Sequence, residues 1–319
     1  MRILITGGAG FIGSQLALFL QDKNEVLIID KMRGKESFEN GNLQCLGHFK
    51  NLLEFKGELF IGDILDEKTL RIMREFKPEV IFHHAAISDT TANNQNQILN
   101  VNLNSFKDLI KLSIEFNAKL IYASSASVYG DAKSPQSVGF GEKPKNVYAF
   151  SKLMMENLAA KFYDKAHLVG LRYFNVYGKG EFFKGKTSSM ILQFAHQILS
   201  AKAPRLFEGS DKIYRDFVYI KDVINANLAA LNAKSGVYNV GSGIARTFKE
   251  VADILQKELG TNYSYEIIPN PYKNAYQYHT QAKLEQNFAY TPQFSLEEGI
   301  KDYLSEIKRL FEEESKTHV

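Results

Sequence analysis

Tyr148 and Lys152 stand four residues apart in Asn146-Val147-Tyr148-Ala149-Phe150-Ser151-Lys152, which continues with Leu153, Met154, Met155, Glu156, Asn157 and Leu158. These helix formers predict a helix, and on a helix residues four apart share a face. An ammonium beside a phenol favours the phenolate and draws a pKa of about 10 toward neutrality. Tyr148 is then a candidate proton acceptor near pH 7. A tyrosine and a lysine at this spacing also occur on ordinary helices, so the pair takes its weight from its surroundings.

A sheet built for a dinucleotide is the scaffold those surroundings suggest. Residues 2–6 form an apolar strand that runs into Gly7-Gly8-Ala9-Gly10-Phe11-Ile12-Gly13 and then a helical pattern over 15–20. Glycines at 7, 10 and 13 allow a tight turn and close approach of backbone to a pyrophosphate, which Phe11 and Ile12 at the helix start would also meet. A second strand over 25–29 ends in Asp30, placed to reach an adenosine ribose. Lys31, Arg33 and Lys35 follow at once and could embrace a 2′-phosphate, which favours NADP over NAD. Residues 31–57 read as a long loop with one short helix.

Further strands fall at 58–61, 80–82, 119–123 and 168–171, alternating with helical patterns. Such alternation predicts a parallel, doubly wound sheet. Asp63 sits at the end of the third strand, either against adenine or as the N-cap of the next helix. After the fourth strand, His83-His84 suggests a metal, but no third ligand has useful spacing, so no metal site is expected. Ala85 and Ala86 would let a cofactor pass close to the backbone, Ser88 follows, and Asn102 would support the active-site strand from the next helix. Ser124, Ser125 and Ser127 close the fifth strand, where ligands lie in open sheets of this kind; turn formation is the plainer role for such a cluster.

Beyond Arg172 the texture changes to a smaller mixed lobe. A glycine- and lysine-rich loop spans 179–187, with a helix over 188–199. A strand is expected at 214–220, a helix at 221–231 and a strand at 237–240 that returns to the main sheet. Segments 247–259, 263–268 and 296–311 complete the smaller, mixed lobe, with 314–319 as a frayed tail. The division predicted is a cofactor domain of 1–171 plus about 212–240, and a substrate lobe of 172–211 and 241–319.

The whole has ordinary bounds. The chain has 319 residues, 45% apolar and 24% charged, with 39 lysines and arginines against 36 acidic residues. A net charge of +3 without a polybasic block gives no reason to expect nucleic acid or a membrane surface. Cys45 is the single cysteine and cannot form an internal disulfide, which fits a reducing, cytoplasmic compartment. Glycines interrupt the N-terminal apolar stretch, so it does not read as a signal peptide.

The glycine loop, Asp30, Asp63, Ser125, Tyr148-x-x-x-Lys152 and Arg215-Asp216-Phe217-Val218-Tyr219 resemble the extended short-chain dehydrogenase/reductases over essentially the whole chain. The resemblance implies a Rossmann-type sheet and a nicotinamide cofactor near Val176. It also implies that Ser125 and Tyr148 grip a reacting alcohol, while Lys152 holds the nicotinamide ribose. Dehydratases of that family carry an acidic pair after the active-site hydroxyl; Ala126 and Ser127 stand there instead.

The closer resemblance is to the family's epimerases that act on ADP-heptose. It rests on Tyr122-Ala123-Ser124-Ser125-Ala126, Arg172-Tyr173-Phe174-Asn175-Val176-Tyr177-Gly178, Lys184-Gly185 and Leu206-Phe207-Glu208-Gly209-Ser210. It implies inversion of C-6 of the sugar, a homo-oligomer, and Lys184 as a second acid/base group, with Lys179 and Lys186 as rivals. A fixed tyrosine cannot serve both epimeric alkoxides equally, which gives a second group a physical purpose. Asn175, Lys184, Phe207, Glu208, Gly209, Ser210, Arg215 and Tyr276 are the expected substrate contacts, Arg215 for the nucleotide phosphates. A UDP-hexose 4-epimerase, a net reductase and a non-catalytic cofactor sensor are the alternatives.

Overall fold

A computed structural model describes residues 1–270 and 279–317 of the chain. Seven parallel strands form its main sheet: β1 (Arg2–Thr6), β2 (Glu25–Asp30), β3 (Glu58–Ile61), β4 (Val80–His83), β5 (Lys119–Ser125), β6 (Leu168–Tyr173) and β10 (Gly236–Val240), in the order β10-β6-β5-β4-β1-β2-β3. β7 (Asn175–Tyr177), β8 (Arg205–Phe207), β9 (Tyr214–Tyr219), β11 (Ala245–Thr247) and β12 (Glu266–Ile268) make two small sheets, β11-β9-β7 and β12-β8. The helices are α1 (Phe11–Leu20), α2 (Glu67–Phe76), α3 (Gln95–Leu99), α4 (Ser105–Phe116), α5 (Val147–Ala160), α6 (Met190–Leu199), α7 (Ile220–Ala230), α8 (Phe248–Leu259) and α9 (Leu296–Thr317).

The sequence dictates this layering directly. In β1, Ile3 and Ile5 enter one buried cluster and Leu4 the other, so both sheet faces are apolar. Successive strand side chains point to opposite faces, and a strand apolar on both must be covered by helices on both. The strand order reverses between β1 and β4, where the chain crosses from one half of the sheet to the other. Ligands of open parallel sheets bind in that crevice, outside the carboxyl ends of the strands. The short, exposed β3 forms one edge.

Tyr214–Tyr219 lies outside the main sheet, paired with β7 and β11. Its Asp216 carboxylate accepts N–H groups from Ser242, Gly243 and Ala282, tying the strand into the loops of the smaller lobe. Within 263–268 only the last three residues form a strand, and the Gln256 side chain takes both backbone groups of Tyr263. Glu314 belongs to α9 and not to a frayed tail, and an ion pair of 2.5 Å joins it to Lys50. Elsewhere the return of 236–240 to the sheet holds, through parallel pairing with β6.

Candidate active site

Residues from most of these elements surround one cleft of about 570 Å³ at the carboxyl ends of the strands. Gly7, Gly10, Phe11, Ile12 and Gly13 form its floor. At Gly7 φ is +71°, and an added Cβ would lie 2.5 Å from Ala85 N, so a side chain cannot be accommodated at the crossing of β1 and β4. α1 begins at Gly10 with no side-chain cap and no acidic residue in its first turn. Those unsatisfied N–H groups and the positive end of the helix dipole suit a pyrophosphate. The site therefore fits a dinucleotide on its own geometry.

Asp30 is buried and its carboxylate accepts N–H groups from Ala9 at 2.9 Å and Met32 at 2.7 Å. Burial raises its pKa, and the backbone donors work against that shift. Asp63 lines the cleft and pairs with Lys31 at 3.1 Å, while Asp66 takes the N-cap position of α2. Of the three cations expected around a 2′-phosphate, Lys31 alone lines the cleft; Lys35 is exposed outside the lining. Arg33 donates to the carbonyl of Phe183, and its Nε has no hydrogen-bond partner among the described residues.

One wall of the cleft is built by β5 and α5. The Asn146 side chain caps α5 by accepting from Ala149 N at 2.8 Å, which fixes the start of the helix. Tyr148, Lys152 and Glu156 then fall on one buried face. Ser125 ends β5 and lines the cleft with Tyr148; Ser127 Oγ donates to Ser125 Oγ at 2.9 Å. Lys152 Nζ donates to Ala123 O at 2.7 Å and lies 5.8 Å from the centre of the Tyr148 ring.

Electrostatics differ here from the sequence expectation. Burial pushes the Tyr148 phenol above its ordinary pKa, opposed by the Ser125 hydrogen bond. Burial also lowers Lys152 to about 8, against the pull of Glu156. The ammonium is turned to a carbonyl, so desolvation governs the tyrosine. Below the pair, Arg172 binds Glu156 through Nε and Nη2 at 2.9 and 2.6 Å and reaches Glu142 at 2.9 Å, fixing the column from beneath.

Lys184 enters from the loop after β7, half-buried, with its Nζ 5.5 Å from the centre of the Phe11 ring. Burial lowers its pKa while the Glu181 carboxylate raises it. Buried Glu181 accepts from Gly178 N, Ser189 N and Ser189 Oγ at 3.1, 2.7 and 2.7 Å, closing the loop around itself. Lys186 is exposed and Lys179 half-buried, and neither lines the cleft.

Among the other expected residues, Ala85, Ala86, Ser88, Asn175, Val176 and Arg215 line the cleft. Asn102 does not: it lies one layer back, bonded to both backbone groups of Ile87 and to Ser151 Oγ. Phe207, Glu208, Gly209 and Ser210 stand at the end of β8, outside the lining. Tyr276 lies outside the described residues. The sequence reading missed the wall made by 43–47 and the placement of His84, whose two ring nitrogens have no hydrogen-bond partner among the described residues. Gly47 was the available signal for the wall, since a Cβ there would sit 2.2 Å from Asp30 Oδ1.

A doubly wound sheet with a glycine loop at its first crossover and a serine, tyrosine and lysine on one wall defines an extended short-chain dehydrogenase/reductase, an enzyme that uses a nicotinamide cofactor. The chain belongs to the NAD dependent epimerase/dehydratase family, whose model matches residues 3–241. It is similar to the ADP-L-glycero-D-manno-heptose-6-epimerase of Helicobacter pylori, with 46% identity, 96% of each chain covered and a TM-score of 0.89. It is also similar to the UDP-glucose 4-epimerase of Thermotoga maritima, with 25% identity over 97% of this chain and 99% of that one and a TM-score of 0.86. For the UDP-glucuronic acid 4-epimerase of Bacillus cereus, determined with UDP-glucuronic acid and NAD, the values are 27%, 97%, 100% and 0.82. Among the described residues no helix is long and apolar enough to cross a membrane, and no group of histidine, cysteine and carboxylate side chains could hold a metal ion.

Proposed function

We propose that this enzyme inverts C-6 of the heptose in ADP-D-glycero-D-manno-heptose, giving ADP-L-glycero-D-manno-heptose for the inner core of lipopolysaccharide. The observation that carries this reading is that Tyr148 and Lys184, from different elements, line the same cleft as Ser125 and the glycine loop. The 46% identity to the Helicobacter pylori enzyme over nearly the full length supports the choice of sugar.

When bound, a nicotinamide supplies a hydride acceptor that later returns the hydride. The protein's part is to manage protons and hold the sugar. Oxidation of the C-6 alcohol to a ketone needs a base for the hydroxyl proton, and reduction from the opposite face needs an acid there. Tyr148 and Lys184 fill these roles and exchange them in the reverse direction. Burial lowers the Lys184 pKa toward the working pH, where proton exchange is most efficient, and raises that of Tyr148, which keeps the phenol protonated as the resting acid. Ser125 orients the alcohol, Lys152 holds the nicotinamide ribose, and Arg215 and Asn175 take the nucleotide sugar.

NADP is the proposed cofactor. Lys31 supports it, as the one of the three cations that lines the cleft, at the end of the strand that carries Asp30. Replacing Lys31, Arg33 and Lys35 together should weaken NADP more than NAD, and equal losses would contradict the reading. The function itself is tested by incubating the protein with ADP-D-glycero-D-manno-heptose, without added reductant, and resolving the C-6 epimers by proton NMR. The L-glycero isomer is expected; its absence with cofactor bound would exclude this substrate.

A further inference from the structure

The segment that walls the adenosine end of the cleft also carries the loop of Lys184. Lys31, Cys45, Leu46 and Gly47 face the cleft. The same segment grips Phe183, the neighbour of Lys184, in three ways. The His48 ring stacks on the Phe183 ring with centroids 4.1 Å apart and planes at 7°. Lys50 Nζ lies 5.4 Å from the centre of that ring, and Arg33 donates to the Phe183 carbonyl. His48 is joined in turn to the glycine loop, its N–H donating to Ala9 O at 3.0 Å. Ala9, His48, Phe183 and Lys184 thus form a continuous path from the pyrophosphate floor to the proposed acid/base lysine.

We infer that Phe183 is a positioning residue through which binding of the adenosine end of the dinucleotide orders the Lys184 loop. The inference rests on the reading of the cleft as a dinucleotide site and of Lys184 as an acid/base group. Fixing the 31–50 segment by a ligand presents His48 and Arg33 in one arrangement, and Phe183 docks against it. Lys184 is then held in the cleft when the cofactor is in place, which keeps the reactive arrangement from forming without it.

The test uses the full chain stripped of cofactor and 2′,5′-ADP as probe, which carries the adenosine and its 2′-phosphate but no nicotinamide. Amide exchange over residues 182–187 is followed with and without the probe, and probe affinity is measured by calorimetry. An aromatic stack of ordinary strength predicts a slowing of between about twofold and tenfold in the wild type. Phe183→Ala should lose the slowing and, by linkage, bind the probe more weakly by no more than that same factor, and Phe183→Trp should restore both. With NADP bound, Phe183→Ala should lower kcat by more than it weakens cofactor binding. Equal slowing in Phe183→Ala, or probe binding without slowing in the wild type, overturns the coupling alone. If 2′,5′-ADP does not bind, the 2′-phosphate reading falls and ADP is used as the probe in its place; binding of neither overturns the dinucleotide reading and the coupling with it.

Discussion

The Lys184 ammonium lies 5.5 Å from the centre of the Phe11 ring, over the first residue of the helix whose N-terminus suits a pyrophosphate. Loop 179–187 and the glycine loop therefore meet at the cleft floor, and a lysine far along the chain enters the cofactor site. Lys184→Met is expected to slow epimerisation by roughly 10²–10⁴-fold, the usual worth of a general acid or base. Lys186→Met should stay close to wild type because that side chain is exposed outside the cleft. Steady-state rates of both variants on the epimerisation assay decide the matter, and a reversed order would assign the role to Lys186.

Tyr148 and Ser125 line the same cleft, and Ser125 works against the rise in the phenol's pKa, so a second hydroxyl stands by to hold the substrate alcohol. Tyr148→Phe keeps the ring and its packing and removes only the proton carrier. Turnover should fall by roughly 10²–10⁴-fold while the cofactor remains bound, as read from nicotinamide absorbance after gel filtration. Unchanged turnover would remove Tyr148 from the mechanism.

Much of this arrangement was legible before any coordinates, for identifiable reasons. Parallel strands buried on both faces leave continuous apolar runs such as Ile3-Leu4-Ile5, and the glycines between the first strand and helix mark the ligand crevice. Helical spacing joined Tyr148 to Lys152. What escaped was set by contacts distant in sequence. Arg33 reads as one of three surface cations, yet its partner is a carbonyl 150 residues away. Asn102 reads as a polar residue near the cofactor, and only packing against Ser151 sets it one layer back. The direction of the Lys152 ammonium, toward Ala123 O, has no periodic signature at all.

That ammonium is buried, and its pKa is lowered to about 8 by desolvation. Between pH 8 and the ordinary lysine value the unfolded chain binds the proton and the folded chain does not. Stability of the cofactor-free protein therefore rises with pH through that window, and below pH 8 the full cost of the buried charge is present. Lys152→Met removes that cost, on the order of 3 kcal/mol at neutral pH, although turnover should be lost. Urea melts at pH 7 and pH 10 are the check. The variant should gain more at pH 7 than at pH 10, and equal gains would mean that packing, not charge, explains the difference.

His84 tests the opposite limb of the pH profile. It lies on the cleft wall against Tyr173, with ring centroids 6.1 Å apart, and burial together with the Lys152 charge lowers its pKa to about 3. Below the ordinary histidine pKa the unfolded chain takes up a proton that the folded chain refuses, so stability is lost as pH falls from about 6.5 toward 3. His84→Phe preserves a flat ring on Tyr173 and deletes the titration. At pH 4.5 the loss of stability relative to pH 7 should shrink by roughly 2 kcal/mol. His83 is also buried with its pKa well below normal and remains in the variant, so part of the acid sensitivity persists. An unchanged loss between the two pH values in denaturant melts would show that His84 contributes nothing to it.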